Sequence, residues 1–326
     1  MKEMIKQIIR EELNRELSKR YYFMSGLPRS GSTLLSSLLN QNPNFYSGPS
    51  SPVVPTMIAL ENSLSNDELF MAYPKPEQAH KIISSVMDNY YSDVTKPVIF
   101  DKNRSWVNRL HYIPGYFGFE PKVLCPVRNI DEILTSFITM HRRNPYIGNG
   151  KINFMDEMLI KTNTPLNDEN RCRLLGNEEY GILGQSYAGI RQAIMQGYRK
   201  NLHFIEYDDL MNNPEETMRK IYEFLGEPYF EHDFSNIENV HKEKDAEVYG
   251  LADMHDVRKE LSKTSPDPKE ILPQVVCDAC VGMEYWRNLD EQVDFDQINK
   301  EEETQSKQTD SEPLTTEEDD TKIIGA

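Results

Sequence analysis

The stretch YYFMSGLPRSGSTLL, Tyr21 to Leu35, decides the fold. Tyr21 to Met24 is a short apolar, aromatic run of the kind that forms a strand, and Leu34, Leu35, Leu38 and Leu39 then recur at helical spacing. Between them lies a loop punctuated by Gly26 and Gly31. Strand, Gly-rich loop and helix in that order offer an anion several backbone N–H groups and the positive end of a helix dipole. Arg29 and the hydroxyls of Ser30, Ser32 and Thr33 add charge and donors. Set against the nucleotide-loop pattern GxxxxGK[ST], Gly26, Gly31 and Thr33 fall into place, but Ser32 stands where the lysine belongs. In an NTPase that lysine reaches the β and γ phosphates while the Ser/Thr ligates Mg²⁺. A donor with one short phosphate-linked group, held without metal, therefore fits this loop better than a magnesium-bound triphosphate.

Outward from the loop, strands and helices alternate. Pro97 to Phe100 is a second short strand that delivers Asp101 and Lys102 to its carboxyl end. A third, Lys122 to Val127, runs into Arg128, after which Ile130, Ile133, Leu134, Phe137 and Ile138 take up the helical period. Leu183, Tyr187, Ile190, Ile194 and Tyr198 mark a longer helix, and His203 to Tyr207 the strand after it. The next helix is punctuated by Asn213 as N-cap, Pro214 at its first position, Glu216 three residues after the cap, and Gly226 with Pro228 at its end. This alternation predicts an α/β fold of the P-loop nucleotide-kinase type, a parallel sheet with helices on both faces. Ligands of such sheets bind beyond the carboxyl ends of the strands, where the loop at Gly26, Lys102 and Arg128 all lie.

Composition sets the limits. The 326 residues carry a formal charge of −17, which argues against nucleic acid as the main partner. Residues 290–326 hold 13 acidic and 3 basic side chains with no apolar periodicity, so they read as a disordered acidic tail. Residues 1–19 read as an amphipathic helix through Met1, Ile5, Ile8, Ile9, Leu13 and Leu17. Packing on the body is its plain reading, and homo-oligomerisation through it or lying on a membrane surface the alternatives. The domain proper is expected over 20–289. No run approaches a membrane span, and the N-terminus lacks the apolar core of a secretory signal. Cys125, Cys172, Cys277 and Cys280 suggest neither a disulfide framework nor, from the single CxxC, a zinc site. They read as ordinary thiols of a cytoplasmic protein.

Two segments carry a family resemblance. PRSGSTLL, from Pro28, after an apolar strand resembles the 5′-phosphosulfate loop of sulfotransferases that use 3′-phosphoadenosine 5′-phosphosulfate (PAPS), and VLCPVRNIDEILTSF resembles their 3′-phosphate signature. QNPNF, DKNRSW and FIEYDDLMNNPEETMRKIYEFLGEP are similar to the tyrosylprotein sulfotransferases and related bacterial and viral-type members, over roughly residues 20 to 290. The resemblance implies that Pro28, Arg29, Ser30, Gly31, Ser32 and Thr33 bind the phosphosulfate and that Arg128 with Ser136, eight residues on, binds the 3′-phosphate. It implies that Lys102, like Arg29 a catalytic cation, donates to the bridging oxygen as the leaving phosphate gains charge. The reaction implied is sulfuryl transfer from PAPS, without metal, to a hydroxyl- or amine-bearing peptide, carbohydrate or small molecule.

The family's base is missing. Where tyrosylprotein sulfotransferases carry Gly-Glu-Glu-Thr-Arg, this chain has Gly48, Pro49, Ser50, Ser51 and Pro52, with Ser50 at the catalytic glutamate. Serine is no base at neutral pH. Asp101, His111 and His255 are the candidate replacements, with structural or surface roles as their alternatives. The absence also keeps a non-catalytic nucleotide-binding protein in play, beside a P-loop NTPase or kinase in which Val98–Asp101 imitates a Walker B strand. Late in the chain the segment with Arg258 and Lys263 reads as a solvated surface loop or, as the resemblance implies, as a basic segment that closes over the nucleotide with Arg258 or Lys263 contacting PAPS; Met57, Met71, Tyr73, Tyr90 and Tyr91 read as core residues or as the lining of an acceptor pocket.

Overall fold

The structure, a computed structural model, describes residues 19–144, 152–252, 254–262 and 265–289. The expected N-terminal helix, the acidic tail and Lys263 lie outside the described residues. The chain divides into two compact units, Met1–Glu284 and Tyr285–Ala326; of the second, the described part contains the 3₁₀ turn Tyr285–Arg287.

Within the first unit, five strands form one parallel sheet: β1 (Arg20–Met24), β2 (Phe45–Ser50), β3 (Val98–Lys102), β4 (Val123–Val127) and β5 (Leu202–Glu206). Their order across the sheet is β2-β3-β1-β4-β5. Every residue of β3 and β4 is buried, so both sheet faces are covered, as a parallel sheet with helical crossovers requires. Met24 pairs with Lys102 across β1 and β3, and Ser50 with Lys102 across β2 and β3, which brings three strand ends to one rim.

One face is covered by α1 (Ser32–Leu39), which buries Leu35, Leu38 and Leu39 completely, and by a late helix, Pro214–Leu225, which buries Met218, Ile221, Tyr222 and Leu225. These side chains close on Met24, Phe45, Phe100 and Leu124. Each fully buried Leu of that layer contributes on the order of 1.5–3 kcal/mol. On the other face Phe23 packs edge-on against Trp106 with ring centroids 4.7 Å apart.

Three details depart from the sequence reading. β2 was not expected, because FYSGPS carries Gly48 and Pro49 and no apolar run; it holds the sheet edge, where a missing N–H is tolerated, and its register shifts between Ser47 and Ser50. The helix through Leu183 ends at Ala193 instead of reaching Tyr198, because Gly197 takes φ 86° and the turn Ile194–Tyr198 widens to π geometry. Asn213 does precede the helix that begins at Pro214, but its side chain makes no capping bond.

Candidate donor and acceptor site

The loop after β1 is fastened to β4 before it can meet any ligand. Leu27 N–H donates to Pro126 O at 2.9 Å, and Ser30 Oγ donates to the same carbonyl at 2.9 Å. A Cβ on Gly26 would sit 2.2 Å from Pro126 O, so only glycine allows this approach. Arg29 then takes φ 57° and Gly31 φ 86°, turning the chain into α1. Ser30 is only 1% exposed, so its hydroxyl holds the loop in place; Pro28, Arg29, Gly31, Ser32 and Thr33 line the cavity above it.

Arg29 reaches across to the second signature. Its Nε donates to Ser136 Oγ at 3.1 Å, and its Nη1 to Met254 O. Ser136 lies on the helix Ile130–Arg143 that follows β4, so one bond joins two motifs 107 residues apart. Arg128, 5% exposed, donates to Glu132 Oε2 at 2.8 Å, to Arg29 O at 3.2 Å and to Ser265 Oγ, and its guanidinium lies 4.2 Å from the centre of the Tyr207 ring. Ser136 therefore meets Arg29, and Arg128 meets Ser265.

These residues line a cavity of about 280 Å³ at the carboxyl rim of the sheet. Among the described lining residues six are cations, Arg29, Lys102, Arg104, Arg128, Arg143 and Arg258, against the carboxylates Asp256 and Glu260. In a chain of formal charge −17 that excess marks an anion site. Arg258 donates to Ser262 O at 3.3 Å, which folds the late segment along the wall.

Lys102 enters the same cavity from the end of β3, 5% exposed, with Glu243 Oε1 3.9 Å away. Burial pushes its pKa down, and Glu243 opposes that. Its neighbour Asp101 is fully buried and accepts from Ser51 Oγ at 2.6 Å, Tyr91 Oη at 2.8 Å and Trp106 Nε1 at 2.6 Å. That is a structural carboxyl, closed off from both cavities. His111 is exposed, packs against Tyr112 and lines neither cavity.

His255 lies instead on the wall shared by this cavity and a second one of about 640 Å³. Ser50, Arg104 and Met254 are shared too, so Ser50 lines the junction of the two cavities. The second cavity is walled by Phe154, Met158, Leu174, Leu175, Tyr180 and Ile182 among others. None of the five side chains suggested for an acceptor pocket lines it: Met57 and Tyr91 are core, while Met71, Tyr73 and Tyr90 are exposed. Glu243 and Asp245, both in contact with His255, escaped the sequence reading because they sit in the charged run HKEKD, which resembles a solvated surface. A His ten residues beyond an acid was the only signal available.

A family model described as "Sulfotransferase family" matches residues 22–231. Protein-tyrosine sulfotransferase A of Caenorhabditis elegans is 22% identical over 218 residues, 64% of this chain and 50% of that protein, so the chain spans about half the length of the curated relative it matches. Among solved structures, the sulfotransferase domain from the curacin biosynthetic pathway is similar at 15% identity, with 81% of this chain and 98% of that one covered and a TM-score of 0.47. A mouse sulfotransferase complexed with PAP (SULT7A1) is similar at 14% identity over 87% of this chain and 90% of that one, with a TM-score of 0.45. No helix among the described residues is long and apolar enough to cross a membrane.

Proposed function

The chain belongs to the sulfotransferase family, and from that premise we propose that it transfers a sulfuryl group from PAPS to a hydroxyl or amine acceptor. The observation that carries the proposal is the Arg29–Ser136 bond, which draws both phosphate signatures into one cationic cavity. In this reading the loop N–H groups and Arg29 hold the 5′-phosphosulfate, and Arg128 with Ser136 holds the 3′-phosphate. Lys102 donates to the oxygen that bridges sulfur and phosphorus, where negative charge grows as that bond breaks. Its lowered pKa suits such a donor, because a buried ammonium gives up a proton or a hydrogen bond readily. Arg258 closes the late segment over the nucleotide. No metal is needed: a sulfuryl group carries less charge than a phosphoryl group, and the cations present neutralise it.

The acceptor is a peptide, carbohydrate or small molecule bearing a hydroxyl or amine. A tyrosine side chain, the acceptor named for the Caenorhabditis elegans relative, belongs to that range. The substitution of Ser50 for the family's glutamate argues for a different acceptor geometry.

The test is thermal. Adenosine 3′,5′-bisphosphate without added metal raises the melting temperature, ATP with Mg²⁺ does so much less, and Arg128→Ala abolishes the shift. The reverse order of the two nucleotides would return the chain to the NTPases.

A further inference from the structure

We propose that His255 is the general base of this transfer, held in place by Asp245, and that the 640 Å³ cavity seats the acceptor. The proposal rests on the donor reading above and adds to it the group that takes the acceptor's proton.

Three observations meet at this residue. His255 lines the donor cavity and the second cavity at once, so a hydroxyl seated in the second and attacking into the first passes beside its ring. Asp245 fixes that ring twice, accepting the His255 backbone N–H at 2.7 Å on Oδ2 and lying 2.6 Å from Nδ1 through Oδ1. Glu243 Oε2 stands 3.6 Å from the same nitrogen. Two carboxylates on Nδ1 keep the proton there, which leaves the lone pair on Nε2, and Nε2 has no hydrogen-bond partner among the described residues.

The same carboxylates connect base to acid. Glu243 Oε1 faces Lys102 Nζ at 3.9 Å while its Oε2 faces His255, so the two groups of the reaction share one anion. The step balances. An acceptor O–H gives its proton to Nε2, and the oxygen lone pair forms a bond to sulfur. The bond from sulfur to the bridging oxygen breaks, and that oxygen leaves as the phosphate of adenosine 3′,5′-bisphosphate with Lys102 donating to it. His255 then releases its proton to solvent.

The walls of the cavity set the acceptor class. Phe154, Met158, Leu174, Leu175, Tyr180 and Ile182 favour an apolar or aromatic alcohol. Arg104, exposed at the junction and with no hydrogen-bond partner among the described residues for its guanidinium, adds a site for an acidic substituent.

Glu243, Asp245 and His255 also have the makings of a cation site, with ligand atoms within 4.8 Å of one another. Lys102 beside Glu243 already supplies the positive charge, and the base is the role that uses both cavities.

The experiment compares phenols of graded acidity as acceptors with PAPS. His255→Ala lowers kcat about 100-fold or more for phenol itself and less than about tenfold for p-nitrophenol, which is about half ionised in neutral buffer and depends far less on a base. Imidazole restores part of the phenol rate. Asp245→Asn, which keeps an acceptor for the Nδ1 proton, loses less kcat than Asp245→Ala, with KM for PAPS unchanged in both. His111→Ala is the control and leaves all rates unchanged. Unfolding curves and the adenosine bisphosphate shift are recorded for every variant, and a variant that fails to fold is replaced by His255→Gln. An equal loss of rate with every phenol, or none, overturns the proposal. So does a melting temperature raised by Zn²⁺ or Mn²⁺ in the wild type but not in Glu243→Gln. A wild type that binds the bisphosphate but transfers to no phenol overturns it while leaving the donor reading standing; failure to bind the bisphosphate overturns the donor reading itself.

Discussion

Asp101 and Lys102 end the same strand on opposite faces of the sheet, and their surroundings are unlike in almost every respect. Behind the sheet, Asp101 is closed in by neutral donors, Ser51, Tyr91 and Trp106, and opens onto no cavity. In front, Lys102 Nζ makes no hydrogen bond among the described residues, faces one carboxylate at 3.9 Å, and borders empty space. Both are buried ionisable groups, and burying such a group is costly unless its partners are complete. The first region completes them and becomes a fastener that ties β2, β3 and the helix Pro76–Tyr90 together. The second leaves donor capacity unspent, and that capacity is what a leaving oxygen can use.

The largest effect that can break this contrast is in stability. Asp101→Ala leaves three buried donors without an acceptor, each at about 1–3 kcal/mol, so urea unfolding should show a loss of several kcal/mol. Lys102→Ala removes a cation that makes no hydrogen bond among the described residues and faces one carboxylate at 3.9 Å, so its loss of stability should be the smaller of the two. Equal losses would show that both residues are fasteners.

Next in size is catalysis. Lys102→Ala should lower kcat about 100- to 1,000-fold while the adenosine bisphosphate thermal shift persists, because the interaction grows only as the leaving oxygen gains charge. Loss of the shift along with turnover would make Lys102 a binding residue instead. The smallest effect sharpens the other side. Burial holds the Asp101 carboxyl above its ordinary range, although its three donors pull it back. The folded chain therefore keeps a proton that the unfolded chain has released. The Asp101 contribution is greatest below the unfolded pKa, about 3.9, and is lost as pH rises through the folded value. Asp101→Asn cannot titrate, so as pH rises from about 4 the stability difference should move in the variant's favour. Urea midpoints that keep a constant gap would refute this.

The same divide governs what could be read from the sequence. The cationic cavity was legible because it lies in local backbone shape: a loop between strand and helix, then an arginine closing the strand Val123–Val127. β1, β3, β4 and β5 announced themselves as apolar runs, whereas β2, with Gly48 and Pro49, is held by pairing to β3 and by nothing in its own composition. The second cavity was illegible because it is assembled from distant pieces. Ser50 from β2, Arg104 after β3, Phe154 and Tyr180 from helical connections, and His255 meet only once the sheet has formed. Asp101 and His255 stood together as candidate bases in the sequence, and only burial and partners separate them.

Arg29 takes φ 57°, a left-handed conformation that costs an L-residue about 1–2 kcal/mol and glycine almost nothing. For that backbone turn alone, glycine is the residue the conformation favours. Arginine persists at that position only while something rewards its guanidinium. Position 29 is thus a gauge of what the guanidinium is worth, through its bonds to Ser136 and Met254 and through the cationic cavity together: where both are given up, glycine or asparagine is the residue that the backbone favours.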